Sequence, residues 1–134
     1  MGVVVYDRRA IHDLIGSPRG AVARDLLRRG RAVEARAKIG APVDTGRLRS
    51  SITHQLVTDA RGMAVRVGTN VDYARGVHEG TGIYGPRGRP IRPVRAKVLR
   101  WRSKRSKSGF VFAREVRGVP GRPFLRNALP AALR

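Results

Sequence analysis

Cysteine is absent from the 134 residues, which excludes disulfides and thiolate metal sites at once. That absence suits a reducing cytosol but locates nothing by itself. Aromatic side chains are scarce at 5%, although a chain of this length still buries roughly two-thirds of its unfolded surface and so supports a modest core. Long apolar runs are missing too: no stretch approaches the roughly 20 residues of a membrane helix. The opening Val3-Val4-Val5, followed by Asp7, Arg8 and Arg9, is too short a run for a secretory leader and has no positive leader before it. A soluble chain with no membrane partner, forming a single domain over residues 1–134, is the expectation.

Acidic residues are the other shortage. Nine Asp and Glu face 29 Lys and Arg, a formal charge of +20. Only Lys38, Lys97, Lys104 and Lys107 are lysines, so arginine supplies the rest. Its planar fork grips carboxylate or phosphate in bidentate fashion and tolerates interfaces better than lysine. Nucleic acid, an acidic lipid surface and acidic protein faces all remain open as partners. An arginine-rich composition also follows from a GC-rich genome, so charge alone does not choose a function.

Catalytic patterns do not assemble. His12, His54 and His78 are at least 24 positions apart, so no pair has the spacing of ligands on one helix face. His78 and Glu79 are adjacent, and neighbours on a helix do not face each other. No serine or cysteine sits in a nucleophile elbow. Gly80, Gly82, Gly85 and Gly88 lack the Gly-Lys-Ser/Thr ending of a phosphate loop. No catalytic residue, cofactor or metal is assigned. Trp101 among Arg100, Arg102, Lys104 and Arg105 has the composition of a base-stacking cluster, but no helix-turn-helix, zinc-finger or RNA-recognition pattern accompanies it. The same tryptophan equally suits an anchor between sheet and helix.

Periodicity supplies the architecture. Arg8 to Ile15 reads as a short helix ending at Gly16. Ser17-Pro18 reads as the N-cap and first position of a long helix reaching Ile39, with Val22, Leu26, Val33 and Ala37 on one face. Gly40 and Pro42 stop it, while Gly20 and Gly30 each weaken it by about 1 kcal/mol. The period then changes to two. Leu48, Ser50, Ile52, His54 and Leu56 read as one strand face, Asp59 to Gly62 as a turn, and Met63, Val65 and Val67 as the returning strand. A helical turn near Tyr73 to Glu79 precedes a Gly- and Pro-rich loop. Val94, Ala96 and Val98 alternate towards Trp101; Ser103 to Gly109 is a basic turn, and Phe110, Phe112 and Val116 return. Pro123 to Leu133 reads as a terminal helix. The fold class expected is α+β: a small antiparallel sheet, a long helix of the N-terminal half packed on one face, and a short C-terminal helix.

Three segments carry a resemblance. They are APVDTGRLRSSI at 41–52, VGTNVDYARGVHEGT at 67–81 and GRPFLRNAL at 121–129, with KVLRW at 97–101 and FVFAREV at 110–116 between the last two. In this order they resemble the head–tail connector proteins of long-tailed double-stranded-DNA phages, called neck, tail-completion or minor tail proteins, over about residues 39–129. Pro42, Asp44, Thr45 and Gly46 suit the turn out of the long helix, and Gly68 and Thr69 the close of the hairpin. Tyr73, with Val77 four residues on, suits a helical turn packed on the core; Gly80 opens the loop, and Pro123 and Phe124 dock the terminal helix.

The resemblance implies a non-enzymatic virion protein. It would form a homo-oligomeric ring, hexamer or dodecamer, around the DNA channel, assembled in the host cytoplasm and touching other connector and tail proteins. Contact with the DNA would be nonspecific. Lys104, Arg105 and Lys107, at the tip of the second hairpin, are the candidate contact with a neighbouring ring. A tail terminator and a basic nucleic-acid-binding protein are the two rival readings.

Overall fold

The computed structural model describes Val5 and residues 7–134; Val3 and Val4, weighed above as a possible leader, lie outside the described residues. Two compact units result. One runs up to Val71 and takes in Phe124–Arg134, and the other is Asp72–Pro123. Both are α+β in character, and each carries its own two-stranded antiparallel sheet rather than sharing one.

The first unit begins with helix α1, Arg8–Ile15. Asp7 caps it, its carboxylate accepting from the amides of Arg9 and Ala10 at 2.9 and 3.2 Å. Helix α2, Ala21–Gly40, is the backbone of the unit. Its start corrects the sequence expectation: Gly20, not Ser17, is the N-cap, and residues 17–20 form a turn closed by the Gly20 amide on the Ser17 carbonyl at 2.9 Å. Its inward face is Ala23, Gly30, Val33 and Ala37, while Val22, expected on that face, is exposed. Three of these four residues are alanine or glycine, so the helix can approach its neighbours closely.

The segment after α2 departs from expectation too. Arg47–Ser51 is a short helix, α3, where the period of two predicts a strand from Leu48. Gly46, at φ 82°, supplies the left-handed residue that starts it, and the Thr45 hydroxyl accepts from the Arg47 amide at 3.4 Å. Leu48 and Ile52 are four apart, so both still reach the core, at 4% and 0% exposure. Strands β1, Thr53–Asp59, and β2, Gly62–Gly68, form the expected hairpin, with Asp59 opposite Gly62 and Leu56 opposite Val65. The Asp59 carboxylate accepts from the Arg61 amide at 2.8 Å within the turn. At the open end of the hairpin, Gly68 pairs with Thr53. Both strands face α2, and close approach there is possible because residue 30 is glycine. A Cβ at Gly30 would lie 2.5 Å from a methyl of Val65.

The chain returns to this unit as helix α5, Phe124–Ala128, and a 3-10 turn over Leu129–Leu133. Phe124 and Ala128, four apart, are the buried pair, so Phe124 lies in the core of this unit, while Leu129 is 60% exposed. The Arg29 guanidinium donates to the Ala132 carbonyl at 3.1 Å and ties this end to α2.

The second unit opens with helix α4, Ala74–Glu79, preceded by Tyr73. The glycine-rich stretch after it has defined partners. The Thr81 and Ile83 amides donate to the carbonyls of Val119 and Arg117 at 2.9 and 2.8 Å, and Gly80 and Ile91 form bridges with Pro120 and Val116. The backbones approach so closely that a Cβ on Gly82 would sit 2.0 Å from the Arg117 carbonyl oxygen. The alternation Val94–Ala96–Val98 does not form a strand: Val94 to Val98 lie in bends, and Val94 is 97% exposed. Among the described residues no second layer covers Val94, so the apolar pattern goes unused there. The strand, β3, begins at Leu99 and ends at Arg102, pairing with β4, Phe110–Ala113.

Candidate interaction surfaces

The β3–β4 hairpin concentrates the charge. Residues 72–123 hold 14 of the 29 cations but three of the nine acids, and residues 94–114 hold eight cations and no acid. The register places Arg100 opposite Phe112 and Arg102 opposite Phe110. Directly opposed residues share a face, so one side of the ribbon is a checkerboard of two arginines and two phenylalanines. The guanidinium carbons of Arg100 and Arg102 lie 4.9 and 5.8 Å from the centre of the Phe110 ring. At exposed sites such contacts are worth about 0.5–1 kcal/mol each. Phe112 is 60% exposed beside them. Leu99, Trp101, Val111 and Ala113 occupy the other face. Trp101 therefore points away from the two arginines that flank it in sequence, and at 40% exposure it does not serve as a buried anchor.

At the tip of this hairpin, Lys104, Arg105 and Lys107 are all exposed. The loop holding them is ordered by its serines. The Ser103 amide donates to the Gly109 carbonyl at 3.0 Å, and the hydroxyls of Ser106 and Ser108 donate to the Phe110 carbonyl at 2.7 and 3.0 Å.

The remaining residues singled out by sequence do not converge on one place. Pro42 and Gly46 are half-buried and Asp44 and Thr45 exposed, all in the link between α2 and α3 and its cap. Thr69, after β2, does more than close a turn: its hydroxyl meets that of Ser51 at 2.6 Å and accepts from the Val71 amide at 3.2 Å. Tyr73 is 47% exposed, so its ring is only partly packed. Gly80 ends α4 and bridges Pro120. Pro123 is half-buried immediately before α5, and Phe124 is 3% exposed.

One cluster escapes a reading of the sequence. Glu34 of α2 takes His54 of β1 on one carboxylate oxygen and Lys38 on the other, the latter at 2.5 Å. Hydrogen bonds from His54, then from Lys38, hold the Glu34 carboxyl below the usual glutamate range against the opposing effect of burial. The i, i+4 spacing of Glu34 and Lys38 is readable. The partner 20 residues away is not, because its register depends on the hairpin packing on the helix. Asp25 is similarly lowered by hydrogen bonds from Arg28 and Arg29. Among the described residues, no group of three or more His, Asp or Glu side chains is placed to hold a metal ion.

Two further surfaces stand open. Ile11, Leu14 and Ile15 form a stripe on α1 and are 41–54% exposed. In the second unit, Asp72, Arg75, Glu79, Arg87, Arg89 and Arg92 line an open cleft of about 740 Å³, with Arg75 and Glu79 paired across one helical turn at 2.9 Å. Among the described residues no helix is long and apolar enough to cross a membrane.

Comparison with known protein families finds a match to residues 19–80, described as "Bacteriophage HK97-gp10, putative tail-component". Over that stretch the chain is similar to a phage tail component. The HK97-gp10-like stretch covers α2, α3, the first hairpin and α4. It contains the 41–52 segment and nearly all of 67–81, begins earlier than the resemblance drawn from sequence, and leaves the 97–116 and 121–129 segments outside. No curated protein and no solved structure matches the chain.

Proposed function

We propose that this chain is a structural, non-enzymatic subunit of a long-tailed phage particle, forming a ring at the junction of head and tail around the DNA channel. The observation that carries the reading is the HK97-gp10-like match over the helix and hairpin that make up most of the first unit. A tail-component family is built for assembly, and its work is done by surfaces rather than by a catalytic pocket. The surfaces here fit that work: an exposed apolar stripe on α1, a cation-rich hairpin and a charged cleft. Homo-oligomerisation, as a hexamer or dodecamer, and location in the virion belong to the same reading.

The tip residues Lys104, Arg105 and Lys107 are the proposed contact with an adjoining ring, and DNA contact is secondary. Many bidentate arginine–phosphate pairs would retard a sliding duplex, whereas carboxylates on a neighbour neutralise the charge without that cost. The test is to remove this chain from its phage and examine the lysate by electron microscopy, with native mass spectrometry of the purified protein. Free heads beside separate tails, restored to joined particles by added protein, together with a closed ring in the mass spectrum, is the expected result. Normal particles without the chain would reject the proposal. Headless tails of uncontrolled length would favour the tail-terminator role instead.

A further inference from the structure

We infer that the free edge of β3 is an acceptor for an extended acidic segment of another protein, which adds to the β3–β4 ribbon as a third strand. The inference rests on the connector reading only for the partner's origin in the particle; the recognition chemistry is read from the hairpin itself.

Among the described residues the hairpin has no third strand, so both of its edges lack a ladder. A two-stranded hairpin alone is marginal in water, and an added strand is the direct way to stabilise it. The two edges are not equivalent. The Ser103 amide bonds the Gly109 carbonyl, which sets the phase of the ladder. Leu99 and Trp101 then turn their backbone groups towards β4, while Arg100 and Arg102 turn theirs to the outside. On β4 the outward residues are Phe110 and Phe112, and the Phe110 carbonyl is already occupied by the hydroxyls of Ser106 and Ser108. The β4 edge is thus blunted at its start. Among the described residues, no hydrogen bond engages the outward backbone groups of Arg100 and Arg102 on the β3 edge.

Charge then selects the occupant. A second copy of this ribbon is a poor partner, because residues 94–114 contain eight cations and no acid. Pairing two such edges would set like charges opposite each other, the usual device by which edge strands avoid self-association. Nucleic acid answers the cations but not the edge: phosphate oxygens accept hydrogen bonds and leave the outward carbonyls of Arg100 and Arg102 without donors. An extended peptide supplies both groups. Its side chains alternate, so acids at positions i and i+2 would lie beside Arg100 and Arg102, and apolar residues between them would continue the face of Leu99 and Trp101.

The experiment uses the full chain and a fluorescent synthetic peptide of about eight residues alternating glutamate and valine. Anisotropy titration at near-physiological salt should show saturable binding. Three comparisons should each weaken it by roughly tenfold or more: Arg100→Ser with Arg102→Ser, N-methylation of alternate peptide amides, and the same composition with all glutamates in one block. Equal binding of the N-methylated or blocked peptide would overturn the inference, since simple polyanion attraction would then suffice. Tighter binding of a single-stranded oligonucleotide of equal charge would also overturn it, in favour of a nucleic-acid face. A chain that fails these tests yet still joins heads to tails would reject the acceptor edge and leave the connector reading standing.

Discussion

Gly30→Ala is expected to destabilise the first unit, although alanine is the better helix former. Replacing glycine inside α2 gains about 1 kcal/mol of helix propensity. The new methyl, however, would lie 2.5 Å from a Val65 methyl, well inside the roughly 3.5–4.0 Å of a relaxed carbon contact. Val65 is β-branched and cannot swing away cheaply, so the hairpin must back off α2. Overpacking of this kind costs about 1–3 kcal/mol, leaving a net loss of about 0–2 kcal/mol. In a Val65→Ala background the obstructing methyl is gone, and the same Gly30→Ala change should stabilise by about 1 kcal/mol. The double-mutant cycle therefore predicts a reversal of sign, with a coupling of about 1–3 kcal/mol. Urea unfolding followed by far-ultraviolet circular dichroism is the assay, because α2 is the longest helix, while Trp101 fluorescence reports separately on the other unit. If Gly30→Ala stabilises both backgrounds equally, the close packing of α2 on β2 is refuted.

Phe124→Ala should cost about 3–5 kcal/mol in the same unfolding assay, because the ring is 3% exposed; a loss below about 1 kcal/mol would mean that α5 does not dock in the first unit. Glu34 governs part of the acid response. Its folded pKa lies below its unfolded value, so its contribution to stability is fully present above the ordinary glutamate pKa of about 4.3 and is lost as pH falls through the folded value. Glu34→Gln should lower stability at neutral pH and flatten the fall of stability below about pH 4.3. An unchanged acid limb would show that the His54 and Lys38 hydrogen bonds do not persist in solution.

Much of the first unit is legible in the sequence. The long helix, the two-residue turn between Asp59 and Gly62 and the inward alternation of Met63, Val65 and Val67 all arise from local patterns. Phe124 stands out as the one large aromatic near the C-terminus. The misreadings share a cause. Leu48 and Ile52 fit a period of two and also a spacing of four, and only the left-handed Gly46 decides for a helix. Ser17-Pro18 has the chemistry of a helix start, yet the turn through Gly20 delays it. Val94, Ala96 and Val98 alternate without a layer to bury Val94, so the pattern is genuine and the strand is not. Glycine reads as a weakness at position 30 and as part of a loop at position 82, whereas at both it admits a neighbour's atoms closer than a Cβ could sit without something shifting.

The candidate surface is harder to read, for a geometric reason. In sequence, Arg100, Trp101 and Arg102 form one cluster, which suggests a tryptophan framed by cations. A strand separates what the sequence joins, since adjacent residues face opposite sides. The arginines belong instead with Phe110 and Phe112, eight or more positions away, across a loop whose length fixes the register. Counting inward from Ser103 and Gly109 gives those pairs once the loop is known to close there. The tip lysines and arginine need no such step, because solvent exposure at a polar turn is a local property. Recognition by the edge of β3 is not local: it depends on which backbone groups the pairing turns outward and on the serine hydroxyls that occupy the Phe110 carbonyl. A basic composition therefore announces that acidic partners are welcome, but only the paired ribbon states which edge can take one and in what alternation.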